Sequence, residues 1–260
     1  MNFKLLLLIL LYFFPFTLSA QMIIGLKDQS YVNSLRKQAT VRIAIFNKNL
    51  DEVSVGAGLY LGKKGMLLTN YHVLRDFLLN PEYKIQIKNS DGSLVKNLSV
   101  INCDKENQQD LCLLITKPNK NFFPILKTKV GTGHLLSLIG HCGKENFNIK
   151  KGKVLEYYKK DSNKFKLAQD ELNYMTELIQ TSARQCPGDS GGPFFSSQGE
   201  LLGIASIVFK RNNSKKQYNI GITNNEILSF IKKKRNPKTV EKNRIIKGSK
   251  SEAKLLKFLD

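Results

Sequence analysis

Short runs of β-branched and other apolar residues, separated by glycine, asparagine and lysine, dominate the middle of the chain. Eleven such runs lie between residues 41 and 223. They are residues 41–46, 53–61, 66–70, 85–87, 94–100, 111–115, 135–139, 154–158, 177–181, 200–207 and 218–223. Many short strands with turn residues between them favour an all-β sandwich or barrel over an α/β fold.

The runs fall into two comparable groups. Residues 117–121 read Lys-Pro-Asn-Lys-Asn, which is typical of a loop and separates the first six runs from the last five. Only two stretches have a convincing helical pattern. Residues 73–79 form the shorter one, and residues 225–234 place apolar side chains on one face and lysines at the C-terminal end.

The first twenty residues have the pattern of a secretory signal. Lys4 precedes an apolar run at residues 5–16, and the small residues Thr17, Ser19 and Ala20 follow it. The run is shorter than the roughly 20 residues that a membrane-spanning helix needs. We therefore expect an exported chain, periplasmic or extracellular, with the signal at residues 1–20. Cleavage after Ser19 and cleavage after Ala20 both remain open.

Export changes the interpretation of the four cysteines, Cys103, Cys112, Cys142 and Cys186. An even number in an oxidising compartment predicts two disulfides, with three possible connectivities. Because Cys103 and Cys112 are close in sequence, they could bridge neighbouring strands, and we expect that pair together with Cys142–Cys186. The chain has no Cys-x-x-Cys pair, so we expect no metal site.

The positive charge is concentrated towards the C-terminus. The net charge is +20, from 41 basic and 21 acidic residues, and residues 232–260 contribute +8 of it. A short basic tail is not how a duplex-binding groove is usually built, and no interleaved aromatic residues are there to stack on bases. We expect no nucleic acid partner, and leave open a weak contact of the tail with an anionic surface.

Residues 188–193, Gly-Asp-Ser-Gly-Gly-Pro, place Ser190 between glycines on a tight loop. The backbone N–H groups of Ser190 and Gly188 can then point into one small space, as a tetrahedral oxyanion requires. Serine alone is a weak nucleophile, so it needs a base that is oriented by an acid.

Two further segments supply such a base and acid. His72 lies in Thr-Asn-Tyr-His-Val, between a predicted strand and a short helix, and Asp110 begins the apolar run Asp-Leu-Cys-Leu-Leu. The order His, Asp, Ser is one of the known orders of the catalytic triad. His134 and His141 have no comparable context, and we expect them to be structural or surface residues.

The segments TNYHV, DLCLL and GDSGGP, in this order, resemble the trypsin/chymotrypsin superfamily of serine endopeptidases. TNYHV and IQTSARQCPGDSGGP are more similar to its bacterial exported branch, which includes glutamyl endopeptidases and the protease domains of periplasmic proteases with PDZ domains. The resemblance covers residues 40–231. Because only 29 residues follow it, we expect no PDZ domain.

The resemblance implies two packed six-stranded antiparallel β-barrels, with the site in the cleft between them and a C-terminal helix. The expected divisions are the signal at 1–20, an N-terminal segment at 21–39, barrels at 40–126 and 127–223, the helix at 224–235 and a basic tail at 236–260.

The resemblance also implies a monomeric endopeptidase that acts on polypeptides without a cofactor. Ser190 is then the nucleophile, His72 the general base and acid, and Gly188 and Ser190 supply the oxyanion N–H donors. Asp110 is the orienting acid rather than Asp104, because it directly abuts its strand.

The alternative is a catalytically inactive barrel that serves as a binding or adhesion module. Such homologues usually lose one of the three catalytic residues, and this chain has all three.

In the trypsin-like pattern the residue six before the serine lies at the base of the primary specificity pocket, and here it is Arg184. The resemblance places Ser206 and Val208 in the pocket wall, and Ala205 where glutamyl endopeptidases have a histidine. An arginine at the base would repel Lys and Arg side chains. Turned inward, Arg184 would select Asp or Glu. Turned outward, it leaves a small apolar pocket for Ala, Val or Thr, which we favour because a buried unpaired guanidinium is costly.

Asp189 carries a further implication of the resemblance. In trypsin-like enzymes the acid before the serine pairs with an N-terminal amine that an activation cut releases. Residues 23–25, Ile-Ile-Gly, weakly resemble such an N-terminus. The need for an activation cut stays open at this level.

Overall fold

The computed structural model describes residues 29–104, 109–142, 147–158, 177–210, 217–232, 238–239 and 244–246. The predicted signal at residues 1–20 lies outside these ranges. Within them, no helix combines the length and the apolar character that crossing a membrane would take.

Strands form most of the described chain. The helices are α1 (Gln29–Gln38), α2 (Tyr71–Leu79) and α3 (Asn224–Lys232). The strands are β1 (Thr40–Phe46), β2 (Glu52–Leu61), β3 (Met66–Thr69), β4 (Lys84–Asn89), β5 (Ser99–Asp104), β6 (Leu111–Ile115), β7 (Leu135–Gly140), β8 (Asn148–Tyr158), β9 (Leu178–Thr181), β10 (Pro193–Phe195), β11 (Leu201–Lys210), β12 (Gln217–Thr223) and β13 (Lys238–Thr239).

The strands form two units, as the family resemblance implied. Strands β7 to β12 close an antiparallel barrel in the order β10-β11-β12-β9-β8-β7. Strands β1 to β6 form a sheet in the order β5-β6-β3-β2-β1-β4, and the short β13 adds to it beside β5. The predicted all-β, chymotrypsin-like fold class is confirmed. Of the two six-stranded barrels that the resemblance implies, the second is a closed six-stranded barrel, and the first is a sheet of seven strands that includes β13.

The largest apolar cluster holds the two units together. Leu59 and Phe123 from the first unit pack with Phe195 from the second, and the rings of Phe123 and Phe195 lie 6.2 Å apart. Val32 of α1 and Phe230 of α3 are buried in the same cluster. Burying each large apolar side chain contributes about 1.5–3 kcal/mol, so this shared core contributes to holding the two units together.

Two strand predictions differ from the structure. The run at residues 94–100 overlaps β5 only at its last two residues; its first residue, Leu94, forms an isolated bridge with Lys88, and Val95 and Leu98 are buried. Strand β8 starts at Asn148, six residues earlier than predicted. Its first residues are rich in lysine and read as a loop in sequence, but they pair with β7.

Part of the predicted basic tail packs on the first unit. Ile245 and Ile246 are buried, and the N–H of Ile246 donates to the carbonyl of Ile85 at 2.8 Å. The guanidinium of Arg244 lies over the ring of Phe77, 4.1 Å from its centroid. Within the predicted basic tail, residues 244–246 therefore pack on the first unit, and the charge of Arg244 stabilises the fold.

Arg244 also caps helix α2. It donates to the carbonyls of Phe77 and Asn80, the latter at 3.0 Å. The last carbonyls of a helix have no partner within the helix, and the C-terminal end of its dipole favours a cation. A residue from the end of the chain thus completes the helix that carries His72 in its first turn.

We expect Arg244→Ala to lower the free energy of unfolding by about 1–3 kcal/mol, because hydrogen bonds from a charged group contribute about that much. Arg75→Ala is the matched control on the same helix. Its ion pair with Asp76 spans 3.4 Å and is exposed, so its loss should cost under about 1 kcal/mol. Urea unfolding followed by circular dichroism measures both variants. Equal small effects would contradict the capping role.

Candidate active site

His72 is fixed by the connection between β3 and α2. The residue before the helix, Asn70, is completely buried, and its side-chain Nδ2 donates to the backbone carbonyl of Asp110 at 3.0 Å. The N–H of Tyr71 donates to the same carbonyl at 3.1 Å. These bonds attach the start of the helix to the residue that precedes β6.

The carboxylate of Asp110 is bound directly to His72. Its Oδ1 accepts the backbone N–H of His72 at 2.9 Å, and its Oδ2 lies 2.8 Å from His72 Nδ1. Asp110 has a φ of 53°, in the left-handed region that Asp tolerates better than most residues. An Nδ1–H donor to the carboxylate leaves Nε2 of the same ring as a proton acceptor.

Ser206 links the acid to the serine. Its hydroxyl donates to Asp110 Oδ2 at 2.9 Å, and its carbonyl accepts the hydroxyl of Ser190 at 3.1 Å. The resemblance led us to expect Ser206 in the pocket wall, but its side chain is buried against Asp110. In the described structure, the Ser190 hydroxyl bonds to Ser206 rather than to His72. Hydrogen bonds from a nucleophile to its base often tighten only when substrate binds.

The loop around Ser190 leaves two backbone donors unused. The N–H of Asp189 donates to Cys186 at 3.0 Å, and that of Gly191 donates to Ala205 at 2.8 Å. The N–H groups of Gly188 and Ser190 make no hydrogen bond within the described residues. They are the two donors that the sequence predicts for an oxyanion.

Strand β2 of the first unit contacts the serine loop of the second. The N–H of Ala57 donates to the carbonyl of Ser190 at 2.7 Å. Gly191 is held so close that an added Cβ would lie 2.1 Å from the carbonyl oxygen of Ala57. Only glycine fits there, because any side chain would force the two units apart.

The other two histidines lie apart from this arrangement. His141 is completely buried, and its Nε2 lies 2.8 Å from the carbonyl oxygen of Gly56. Burial lowers the pKa of His141, so its imidazole is neutral and donates to that carbonyl. His134 is exposed. Asp104, the competing acid, is buried at the end of β5, while Asp110 is the carboxylate bound to His72.

The two disulfides of the structure are the pairs that we expected. Cys103–Cys112 joins β5 to β6, just after Asp110. Cys142–Cys186 joins the residues after β7 to the serine loop.

The pocket residues that the resemblance indicates lie around this loop. Arg184 is exposed. Ala205 is buried in β11, and Val208 of the same strand pairs with Asn219 of β12.

One group of candidate metal ligands occurs in the described part of the chain. Cys142, Cys186 and Asp189 offer atoms within 4.8 Å of one another. The sulfurs form a disulfide and the ammonium of Lys150 contacts the carboxylate. Metals bind thiolates rather than disulfide sulfurs, so this group does not suit a metal ion.

Residues 56–204, which contain His72, Asp110 and Ser190, match the model of the trypsin-like peptidase domain family. The anti-sigma-I factor RsgI9 of Acetivibrio thermocellus is 24% identical over 179 residues, which are 68% of this chain and 22% of that protein. A probable periplasmic serine endoprotease, DegP-like, of Pseudomonas putida is 30% identical over 163 residues, 61% of this chain and 30% of that protein. The chain thus spans less than a third of the length of these two relatives.

The fold also resembles solved structures. The serine endoprotease from Yersinia pestis superposes with a TM-score of 0.61 at 20% identity, over 79% of this chain and 65% of that one. At this identity the likeness shows a shared fold.

Proposed function

The chain belongs to the trypsin-like peptidase domain family, and from this membership and the site geometry we propose that it is an exported serine endopeptidase. The observation that carries the proposal is the continuous set of contacts from His72 through Asp110 and Ser206 to Ser190, beside two unused backbone donors. A packing role requires neither a histidine bound to a carboxylate nor unsatisfied N–H groups next to a serine.

Acylation uses these residues in order. Ser190 Oγ attacks the carbonyl carbon of the substrate peptide while His72 Nε2 takes its proton. Asp110 holds Nδ1–H through Oδ2 and stabilises the imidazolium that forms. His72 then gives the proton to the leaving amine, the C–N bond breaks, and the acyl group remains on Ser190.

Deacylation repeats the steps with water. His72 takes a proton from water, whose oxygen attacks the acyl carbon, and returns the proton to Ser190 Oγ as the carboxylic acid leaves. In both tetrahedral intermediates the negative oxygen accepts the N–H groups of Gly188 and Ser190. Such fixed donors stabilise the developing charge without reorganisation.

Two observations support export. Both cysteine pairs form disulfides, which persist in oxidising compartments. A relative from Pseudomonas putida is described as periplasmic. With the signal pattern at residues 1–20, we propose that the chain acts on polypeptides in the periplasm or outside the cell. We propose a monomer without a cofactor, and with no nucleic acid partner.

The exposure of Arg184 supports a small apolar specificity pocket. A guanidinium in solvent leaves the pocket base without a charge to select Asp or Glu. We therefore propose cleavage after small residues such as Ala, Val or Thr.

Substituting the acid and the nucleophile tests the triad. We expect Asp110→Asn to lower kcat by about 10⁴-fold on an unfolded protein substrate, because an amide stabilises the wrong imidazole tautomer. Ser190→Ala should abolish labelling by a fluorophosphonate and leave the unfolding midpoint unchanged. Peptide mapping of the unsubstituted chain should find the label on Ser190.

Ser197→Ala is the control, because that serine is exposed in the turn after β10; it should label like the unsubstituted chain. Undiminished hydrolysis by the Asp110 or Ser190 variant would refute the assignment. A folded, unsubstituted chain that is never labelled would instead favour the inactive binding module.

Profiling cleavage in a proteome-derived peptide library tests the pocket. We expect cuts mainly after Ala, Val and Thr, and the same profile from Arg184→Ala, because an exposed guanidinium contributes no selection. Dominant cleavage after Glu that disappears in Arg184→Ala would show the inward orientation. Cleavage mainly after Lys or Arg would overturn both alternatives.

A further inference from the structure

The carboxylate next to the nucleophile is completely buried. Asp189 has no exposed surface, and its Oδ2 accepts the backbone N–H of Cys186 at 2.9 Å. The ammonium of Lys150 contacts the same oxygen. Burying a carboxylate costs free energy unless a cation and hydrogen bonds compensate its charge. Lys150 supplies the cation that compensates Asp189 in the folded protein.

Asp189 determines the backbone on both sides of Ser190. Its N–H donates to Cys186 at 3.0 Å, and its carbonyl accepts the N–H of Gly192 at 2.8 Å. The two unused donors belong to Gly188 and Ser190, the residues directly before and after it. A shift of Asp189 would therefore move both groups of the proposed oxyanion site.

Lys150 reaches this carboxylate from a separate element. It lies in β8, opposite Leu138 of β7, and only 20% of its side chain is exposed. Its Nζ contacts both sulfurs of the Cys142–Cys186 disulfide. The disulfide thus packs against the ammonium beside Asp189. Dissolved salt screens a charge pair in such a partly buried position much less than one at the surface.

An N-terminal amine would have to share this carboxylate with Lys150. Oδ2 of Asp189 already contacts a cation. Oδ1 is buried with no hydrogen-bond partner among the described residues, and it packs so closely on Gly140 that an added Cβ there would lie 1.9 Å from it. A second ammonium at this carboxylate would meet the charge of Lys150 at close range. Residues 23–25, the weak match to a released N-terminus, lie outside the described residues.

We infer that Lys150 is the positioning residue that holds Asp189, and through it the oxyanion loop, so that the chain needs no activation cut. This inference rests on the proposed function. It predicts that the protein becomes active once it is folded and oxidised, with its N-terminal segment intact.

Lys150→Met tests the inference, because it keeps the length of the side chain and removes the charge. We expect kcat to fall about 10²-fold with KM changed less than threefold, and fluorophosphonate labelling of Ser190 to slow about equally, as after loss of one oxyanion donor. Lys151→Met, an exposed lysine on the same strand, should behave like the unsubstituted chain. Mass spectrometry of the active protein should show residues 23–25 uncut.

Lys150→Met alone leaves a buried carboxylate without its cation and could prevent folding. The double variant Lys150→Met with Asp189→Asn avoids this, because replacing a whole buried ion pair by neutral groups is often tolerated. It should fold and show the same loss of kcat. Full kcat in either folded variant, or activity only after a cut near residue 23, would overturn the inference alone. No labelling of the unsubstituted chain would overturn the proposed function and this inference together.

Discussion

The carboxylate of Asp110 joins the two halves of the molecule at the point where the chemistry would take place. It binds His72 of the first unit through both oxygens and Ser206 of the second unit through Oδ2. Ser206 in turn accepts the hydroxyl of Ser190. Any rotation of one unit against the other would break this sequence of bonds, so the packing between the units and the orientation of the imidazole depend on each other.

A second set of contacts constrains the serine loop. Asp189 is buried against Lys150 and the Cys142–Cys186 disulfide. The N–H of Ala57, in the first unit, donates to the carbonyl of Ser190. The loop is thus held on both sides. The N–H groups of Gly188 and Ser190 remain as its unused donors, which is the preorganisation that stabilises an oxyanion.

Sequence alone predicted what depends on local patterns. The recurring short apolar runs predicted an all-β fold, and the family resemblance implied its two packed units. The motif chemistry indicated His72, Asp110 and Ser190, which the structure brings together. Contacts between residues that are distant in the chain leave no local pattern in the sequence, so they were not predicted. Lys150 stands in a lysine-rich stretch that resembles a surface loop, and helix α1 buries only Val32. The capping role of Arg244 is equally invisible in a basic tail, because it depends on where α2 ends.

The most direct test of the account is a crystal structure of the protein after reaction with a fluorophosphonate. We expect phosphorus bonded to Ser190 Oγ, with the phosphonyl oxygen about 2.7–3.1 Å from the N–H nitrogens of Gly188 and Ser190. Lys150 should remain on Asp189. A phosphonyl oxygen that points into solvent, or an Asp189 carboxylate turned away from Lys150 while Ser190 is labelled, would contradict it.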